Sequence, residues 1–256
     1  RAAMPSGFDP SLWKGLAEMG TLAMRVPEAG GGLGLGLLDA ALVMEQAGRT
    51  LVSGPLAEAI AATRLLAHFG GAAAEMLGRA IAGDAVVTLA LSDVASAPRQ
   101  WVAGGAVADA VIARDGDAVF LAAPAAADKK VGPNLASTPI AELSLDGADS
   151  ILLGRGGEEV GAFQAAVEEW KLLTAAALSG LSREAIRLAA AYASERKAFG
   201  QFIGTYQAVS HPLAELSVDT DAGKYVVWKV IRDIADKTAD AAAEVSMALW
   251  WNSRTA

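Results

Sequence analysis

The sequence contains no cysteine. That one absence removes disulfides, thiolate metal sites and cysteine nucleophiles together, and it suits a reducing cytoplasm. Histidine is almost as scarce: His68 and His211 are the only two, far apart and without a neighbouring ligand pattern, so no metal centre is expected. No uninterrupted apolar run reaches the ~18 residues of a spanning helix, and no basic region followed by an apolar core opens the chain, so a soluble, cytoplasmic protein off the membrane is expected. Basic runs are missing too. With 21 Lys and Arg against 29 Asp and Glu the net charge is −8, which disfavours nucleic acid as a partner and leaves anionic ligands dependent on local positive sites. No serine sits in a G-x-S-x-G elbow, so a hydrolase has no nucleophile. The glycines of residues 30–36 fit neither G-x-G-x-x-G nor a Gly-Lys-Ser/Thr loop, and on composition they read as a mobile connection between helices.

What the chain does have is apolar bulk: 53% of 256 residues are hydrophobic, enough for one large domain or two to three small ones. Helical periodicity covers Asp9 to Met24, Asp39 to Gly48, Pro55 to Phe69 and Ala72 to Ala82. From Asp84 to Gly154 the pattern changes to short Val- and Leu-rich runs separated by Gly, Pro and Asp, which predicts a small antiparallel sheet unit. Helical periodicity then returns. Trp170, Leu173, Ala177, Leu181, Ala185, Leu188 and Tyr192 recur at three or four residues and predict one long helix with a core-facing stripe. Gly200 is placed as its left-handed cap and Thr205 as the N-cap of a second helix with the stripe Tyr206, Val209, Leu213, Leu216 and Thr220. A third helix, from about Asp236, ends in the bulky Met247, Trp250 and Trp251, expected to pack within a bundle or against a subunit. At the corner between the first two, Arg196 and the exposed N–H groups of the second helix form a candidate phosphate or pyrophosphate site. A basic residue favoured by the helix dipole alone is the competing explanation.

Arg196, Phe199, Gly200, Ile203, Gly204, Gln207, Ala208, Val209, Leu213 and Ala214 resemble, in order and spacing, the R-x-x-F-G, I-G, Q-A-V, L-A segment of acyl-CoA dehydrogenases. Pro27, Glu28, Gly31, Gly32, Gly34, Asp39, Glu45, Gly48, Arg49 and Pro55 follow the pattern of the same family's N-terminal helical domain. The resemblance implies an α+β, acyl-CoA dehydrogenase-like fold: an N-terminal helical domain (1–83), a shortened central β domain (84–157) and a truncated C-terminal helical bundle (158–256). It implies FAD as cofactor, with Arg196, Phe199, Tyr206 and Gln207 as the residues that reach it. It further implies an acyl-CoA substrate, a homologous subunit in a dimer or tetramer, and an electron-transfer flavoprotein as electron acceptor.

Two departures from the family pattern stand out. Where the family has a Thr-Glu-Pro and Gly-Ser-Asp stretch and then Trp-Ile-Thr/Ser, all serving the flavin, this chain has LSDVASAPRQW. Only Ser92, Asp93 and Ser96 offer hydroxyls or carboxylate, and a stretch that the family places ahead of Val102 is missing. The sequence leaves open whether the protein has lost it or whether it lies outside the chain as given. The second departure concerns the base. Desaturation between the α and β carbons of a thioester needs a carboxylate for the α-proton, and a buried glutamate suits because desolvation raises its pKa. In the family's register for such a glutamate on the long helix stands Trp170, followed by Lys171. Glu169 is the nearest candidate, rotated by ~100° on a helix, and a solvated acid in an early helical turn is its competing reading. Two functions follow from the resemblance: a non-catalytic partner that contributes to a shared FAD site in a heteromeric enzyme, or a complete homo-oligomeric acyl-CoA dehydrogenase.

Overall fold

The computed structural model describes residues 6–136, 138–237 and 241–256. Four helices come first: α1 (Pro10–Glu18), α2 (Leu37–Arg49), α3 (Leu56–Phe69) and α4 (Ala74–Ile81). Six strands follow, β1 (Val87–Leu89), β2 (Arg99–Val102), β3 (Ala110–Asp115), β4 (Ala118–Ala122), β5 (Ala141–Ser144) and β6 (Ser150–Arg155). Then come α5 (Gly157–Glu195), a small pair β7 (Lys197–Ala198) and β8 (Gln201–Phe202), α6 (Gln207–Ala235) and α7 (Ala241–Thr255). Helix, sheet, helix is the order that the sequence pattern predicts. The glycine-rich connection is not loose: Leu33, Gly34 and Leu35 donate to the carbonyls of Ala23, Val26 and Met24, and Arg25 Nη1 donates to Leu35 O at 2.7 Å.

Packing divides the chain into two compact units. The first takes the chain through Gly36 and then Ser53–Trp170. Its larger sheet has the order β1-β3-β4-β6. The pairs β3–β4 and β4–β6 are antiparallel as expected, but β1 runs parallel to β3, because the chain leaves β1 to form β2 in a second sheet before it returns. The second sheet is the antiparallel pair β2–β5. One face of the larger sheet, with Val87, Leu89, Ile112, Val119 and Leu121, packs with Leu65, Leu66, Leu77, Phe163 and Val167 of the helices. The opposite face, with Val111, Ala113 and Ala122, packs with Val102, Ala141 and Leu143 of the smaller sheet. Covering on both sides explains why Ala110–Ala113 is an unbroken buried run and not an alternating one.

The second unit takes Leu37–Val52 and Lys171–Ala256, so α2 belongs with the C-terminal helices and not with the N-terminal domain that precedes and follows it in sequence. Two glycines explain that placement. A Cβ on Gly48 would lie 1.8 Å from the Ala177 carbonyl oxygen, and one on Gly180 would lie 1.9 Å from that of Glu45, so α2 and α5 cross backbone against backbone. Ion pairs flank the crossing on both sides: Glu45 with Arg183 at 3.0 Å and Arg49 with Glu184 at 3.1 Å. Lys224 of α6 adds a third helix at 3.4 Å from Glu45, whose carboxylate is buried. At α6 and α7, Asn252 Nδ2 donates to the carbonyls of Gly223 and Ala248, and Trp251 Nε1 donates to Asp219 O at 2.9 Å.

The long helix is longer than its apolar stripe suggests, and the stripe itself does not all face a core. Leu172, Leu173, Ala175 and Ala176 are buried, whereas Leu188 and Tyr192 are 56% and 60% exposed. The first half of α6 is similarly open, with Leu216 and Val218 exposed until Thr220 is reached. Met247 and Trp250 are also open to solvent.

Candidate functional site

The corner between α5 and α6 is built by a hairpin, not by a helix cap. Phe199 (φ 50°) and Gly200 (φ 85°) are both left-handed and form the two-residue turn that joins β7 to β8, a pairing of positive φ values that suits the twist of a tight hairpin. Gly200 therefore does not end α5, which stops at Glu195. Ile203 N donates to Arg196 O at 2.9 Å and closes the ladder. Thr205 does not cap α6 either. Its hydroxyl donates to Phe202 O at 2.7 Å within a short 3-10 turn, and Tyr206 occupies the N-cap position without a side-chain cap bond. The Tyr206 hydroxyl braces the corner by donating to Ala198 O at 3.0 Å.

This rigid corner presents its functional side chains outward. Arg196 and Gln207 are exposed, and Phe199 is 97% exposed. Val209 N and Ser210 N both donate to Tyr206 O, which leaves the N–H groups of Gln207 and Ala208 at the head of a 29-residue helix without an intrahelical acceptor. A guanidinium, a carboxamide and two backbone donors are the groups that suit a pyrophosphate. The corner thus fits the share of an FAD contact expected of it, with Tyr206 as support and not as a free donor.

Glu169 sits elsewhere and is fully engaged. It is 4% exposed, and Arg25 grips it with Nε and Nη2 at 3.0 and 3.2 Å while Arg64 Nη1 reaches its Oε2 at 2.7 Å. A carboxylate held by two guanidiniums is suited to joining α3, α5 and the glycine-rich connection, not to taking a carbon-bound proton. The neighbouring Trp170 turns its indole N–H to Glu58 Oε1 at 2.8 Å. Burial pushes the Glu58 carboxyl above the ordinary carboxylate range, and the indole donor opposes that shift. Periodicity gave no sign of this pair, since Glu58 stands in the acidic first turn of α3, where an exposed glutamate is the usual occupant.

The segment between β1 and β2 is largely tied up by its own hydrogen bonds. Ser92 N and O are both bound by the Gln100 side chain, Ser96 Oγ donates to Asp93 O, and Asp93 pairs with Arg114 at 2.8 Å. Trp101, Val102 and Ala103 stand on and beside β2 where the family pattern reads Trp-Ile-Thr/Ser, so the hydroxyl of that pattern is absent. The Ala103 carbonyl is itself taken, accepting from Thr88 Oγ1 at 2.7 Å. These residues do not fit the group.

Two family models match the chain: the acyl-CoA dehydrogenase N-terminal domain over residues 2–84 and its C-terminal domain over residues 160–256. The chain is 33% identical to acyl-CoA dehydrogenase IpdE2 of Mycolicibacterium smegmatis, over 89% of this chain and 68% of that protein. The chain belongs to the acyl-CoA dehydrogenase family. Members of this family carry FAD and desaturate acyl-CoA thioesters. Among solved structures, a steroid acyl-CoA dehydrogenase described as Tcur3481-Tcur3483 superposes with a TM-score of 0.82 at 26% identity, covering 97% of this chain and 74% of that one. The ChsE4-ChsE5 complex of Mycobacterium tuberculosis gives 0.79 at 27% identity, with the same coverage. Match lengths carry a further fact. IpdE2 aligns over 230 positions for 89% of this chain, nearly without gaps, whereas the 28% identical FadE27 of Mycobacterium tuberculosis needs 274 positions for 94% of this chain and 72% of its own length, more positions than this chain's 256 residues. FadE27 therefore carries residues inside the matched span that this acyl-CoA dehydrogenase lacks. No helix among the described residues is long and apolar enough to cross a membrane, and no described cluster of His, Asp and Glu has the make-up of a metal site.

Proposed function

We propose that this chain is the non-catalytic partner in a heteromeric acyl-CoA dehydrogenase, where it lends the corner at Arg196 to an FAD gripped by the β unit of a homologous subunit. One contrast carries the reading: the corner is intact and faces solvent, while the chain's own β1–β2 segment is closed on itself. Arg196 would supply charge to the pyrophosphate, Gln207 and the head of α6 would supply donors, and Phe199 an apolar face. FAD supplies the hydride acceptor for α,β-desaturation. The partner brings the carboxylate base, since Glu169 is tied to Arg25 and Arg64. Reduced flavin would pass its electrons to an electron-transfer flavoprotein.

The solved relatives support a paired assembly and a bulky substrate, one being described as a complex of two differently named chains and the other as a steroid enzyme. A steroid-derived acyl-CoA is accordingly the substrate class we assign. A complete homo-oligomeric enzyme is the other reading, and the nearly gapless match to IpdE2 counts against a segment missing from inside the matched span. Charge-assisted hydrogen bonds contribute roughly 1.5–3 kcal/mol each. Arg196→Ala should therefore weaken flavin retention in the assembled complex about ten-fold or more, with assembly itself intact. Flavin content that survives dialysis as in the wild type would overturn the assignment.

A further inference from the structure

We infer that the segment between β1 and β2 is a built-in clasp, in which the Gln100 carboxamide takes the place of a ligand's polar edge and lets this β unit fold without a flavin of its own. The inference deepens the proposed partner role, which supplies its context, and stands on a separate set of contacts. Gln100 lies on β2 and is 9% exposed. Its Oε1 accepts from Ser92 N at 3.0 Å, and its Nε2 donates to Ser92 O and to Ala97 O, each at 3.0 Å. A carboxamide that accepts one bond and donates two, side by side, has the donor and acceptor pattern of an amide-bearing ring edge.

A second fastening holds the other side of the segment. Asp93 Oδ1 accepts from Ala95 N at 3.0 Å and from Gly116 N at 3.1 Å, while its Oδ2 pairs with Arg114 at 2.8 Å. Val94 N donates to Arg114 O at 2.9 Å, and the Val94 side chain is buried in the core between the sheets. Asp93 O then accepts from Ser96 N, Ala97 N and Ser96 Oγ. The N–H groups of Ser92, Val94, Ala95, Ser96 and Ala97 are thereby all used. A cofactor could engage these five N–H groups only by displacing bonds they already make, so binding through them would bring no net polar gain.

The test uses the purified full chain, followed by thermal unfolding with and without added FAD. At a hundredfold excess over its dissociation constant a bound ligand would raise the midpoint by about 5–10 °C. No rise is expected for the wild type, and a rise of that size would overturn the clasp. Gln100→Ala should lower the midpoint by about 2–6 °C, because Ser92 and Ala97 lose their partners in a part-buried setting, and FAD should not restore it. Gln100→Glu keeps the shape but removes both donors, so it should fall in the same direction if the alanine variant does not fold. An unchanged midpoint in either variant would refute the role given to Gln100. The two proposals fail separately: loss of the Arg196 effect with an intact Gln100 effect removes the partner role and leaves the clasp, and the reverse result does the opposite.

Discussion

Replacing Gly48 by alanine adds one methyl group to an exposed-looking helix, and the structure predicts a large loss of stability. The new Cβ would stand 1.8 Å from the Ala177 carbonyl oxygen and 2.8 Å from its Cα. A carbon and an oxygen need about 3.2 Å, so α2 and α5 must part by about 1.4 Å. The pair Glu45–Arg183, now at 3.0 Å, would open beyond hydrogen-bonding distance and leave a buried carboxylate less well compensated. Overpacking contributes about 1–3 kcal/mol and the weakened ion pairs add to it, while the gain in helix propensity from glycine to alanine returns only about 1 kcal/mol. With up to about 1 kcal/mol from the ion pairs, a net destabilisation of up to about 3 kcal/mol follows. Urea unfolding monitored by circular dichroism measures it, with Gly161→Ala as the control. Gly161 is an interior residue of α5 with nothing within 4 Å of an added Cβ, so its replacement should stabilise by up to about 1 kcal/mol. If Gly48→Ala moves the midpoint in the same direction as the control, the backbone-to-backbone crossing is refuted.

Glu58→Gln should stabilise the protein at neutral pH. Because burial raises the folded carboxyl above its ordinary 4.5, the cost of charging it is absent below that value and grows as pH rises through the raised one; melting midpoints that do not converge for variant and wild type in acid would contradict this. Glu169→Gln should cost about 3 kcal/mol, since it leaves the guanidiniums of Arg25 and Arg64 without their counter-charge; a urea midpoint equal to the wild type's would show the triad to be idle. The isolated chain should not sediment as a 26.1 kDa monomer at micromolar concentration, because Tyr192, Phe199, Val218 and Tyr225 are each at least 60% exposed. Tyr192→Glu with Val218→Glu should shift it toward monomer, and a wild type that is already monomeric would end the argument.

The order of helix, sheet and helix was legible in the sequence because periods of 3.6 and 2 are local properties. So was the family, carried by the spacing of Arg196, Phe199, Gly200 and Gln207. The motif could not say how that spacing is used. Only the folded chain shows Phe199 and Gly200 as a hairpin turn and Tyr206 as a brace, since left-handed conformations there depend on the pairing of β7 with β8. The same limit applies to Glu45, Gly48 and Arg49, which look like an ordinary helix ending until α5 brings Gly180, Arg183 and Glu184 against them from more than a hundred residues away. Composition likewise marked Ser92, Asp93 and Ser96 as the remaining polar groups of the shortened segment. That Gln100 holds the Ser92 backbone and Arg114 the Asp93 carboxylate was decided by strand register, which places side chains on a face according to partners that no local pattern encodes.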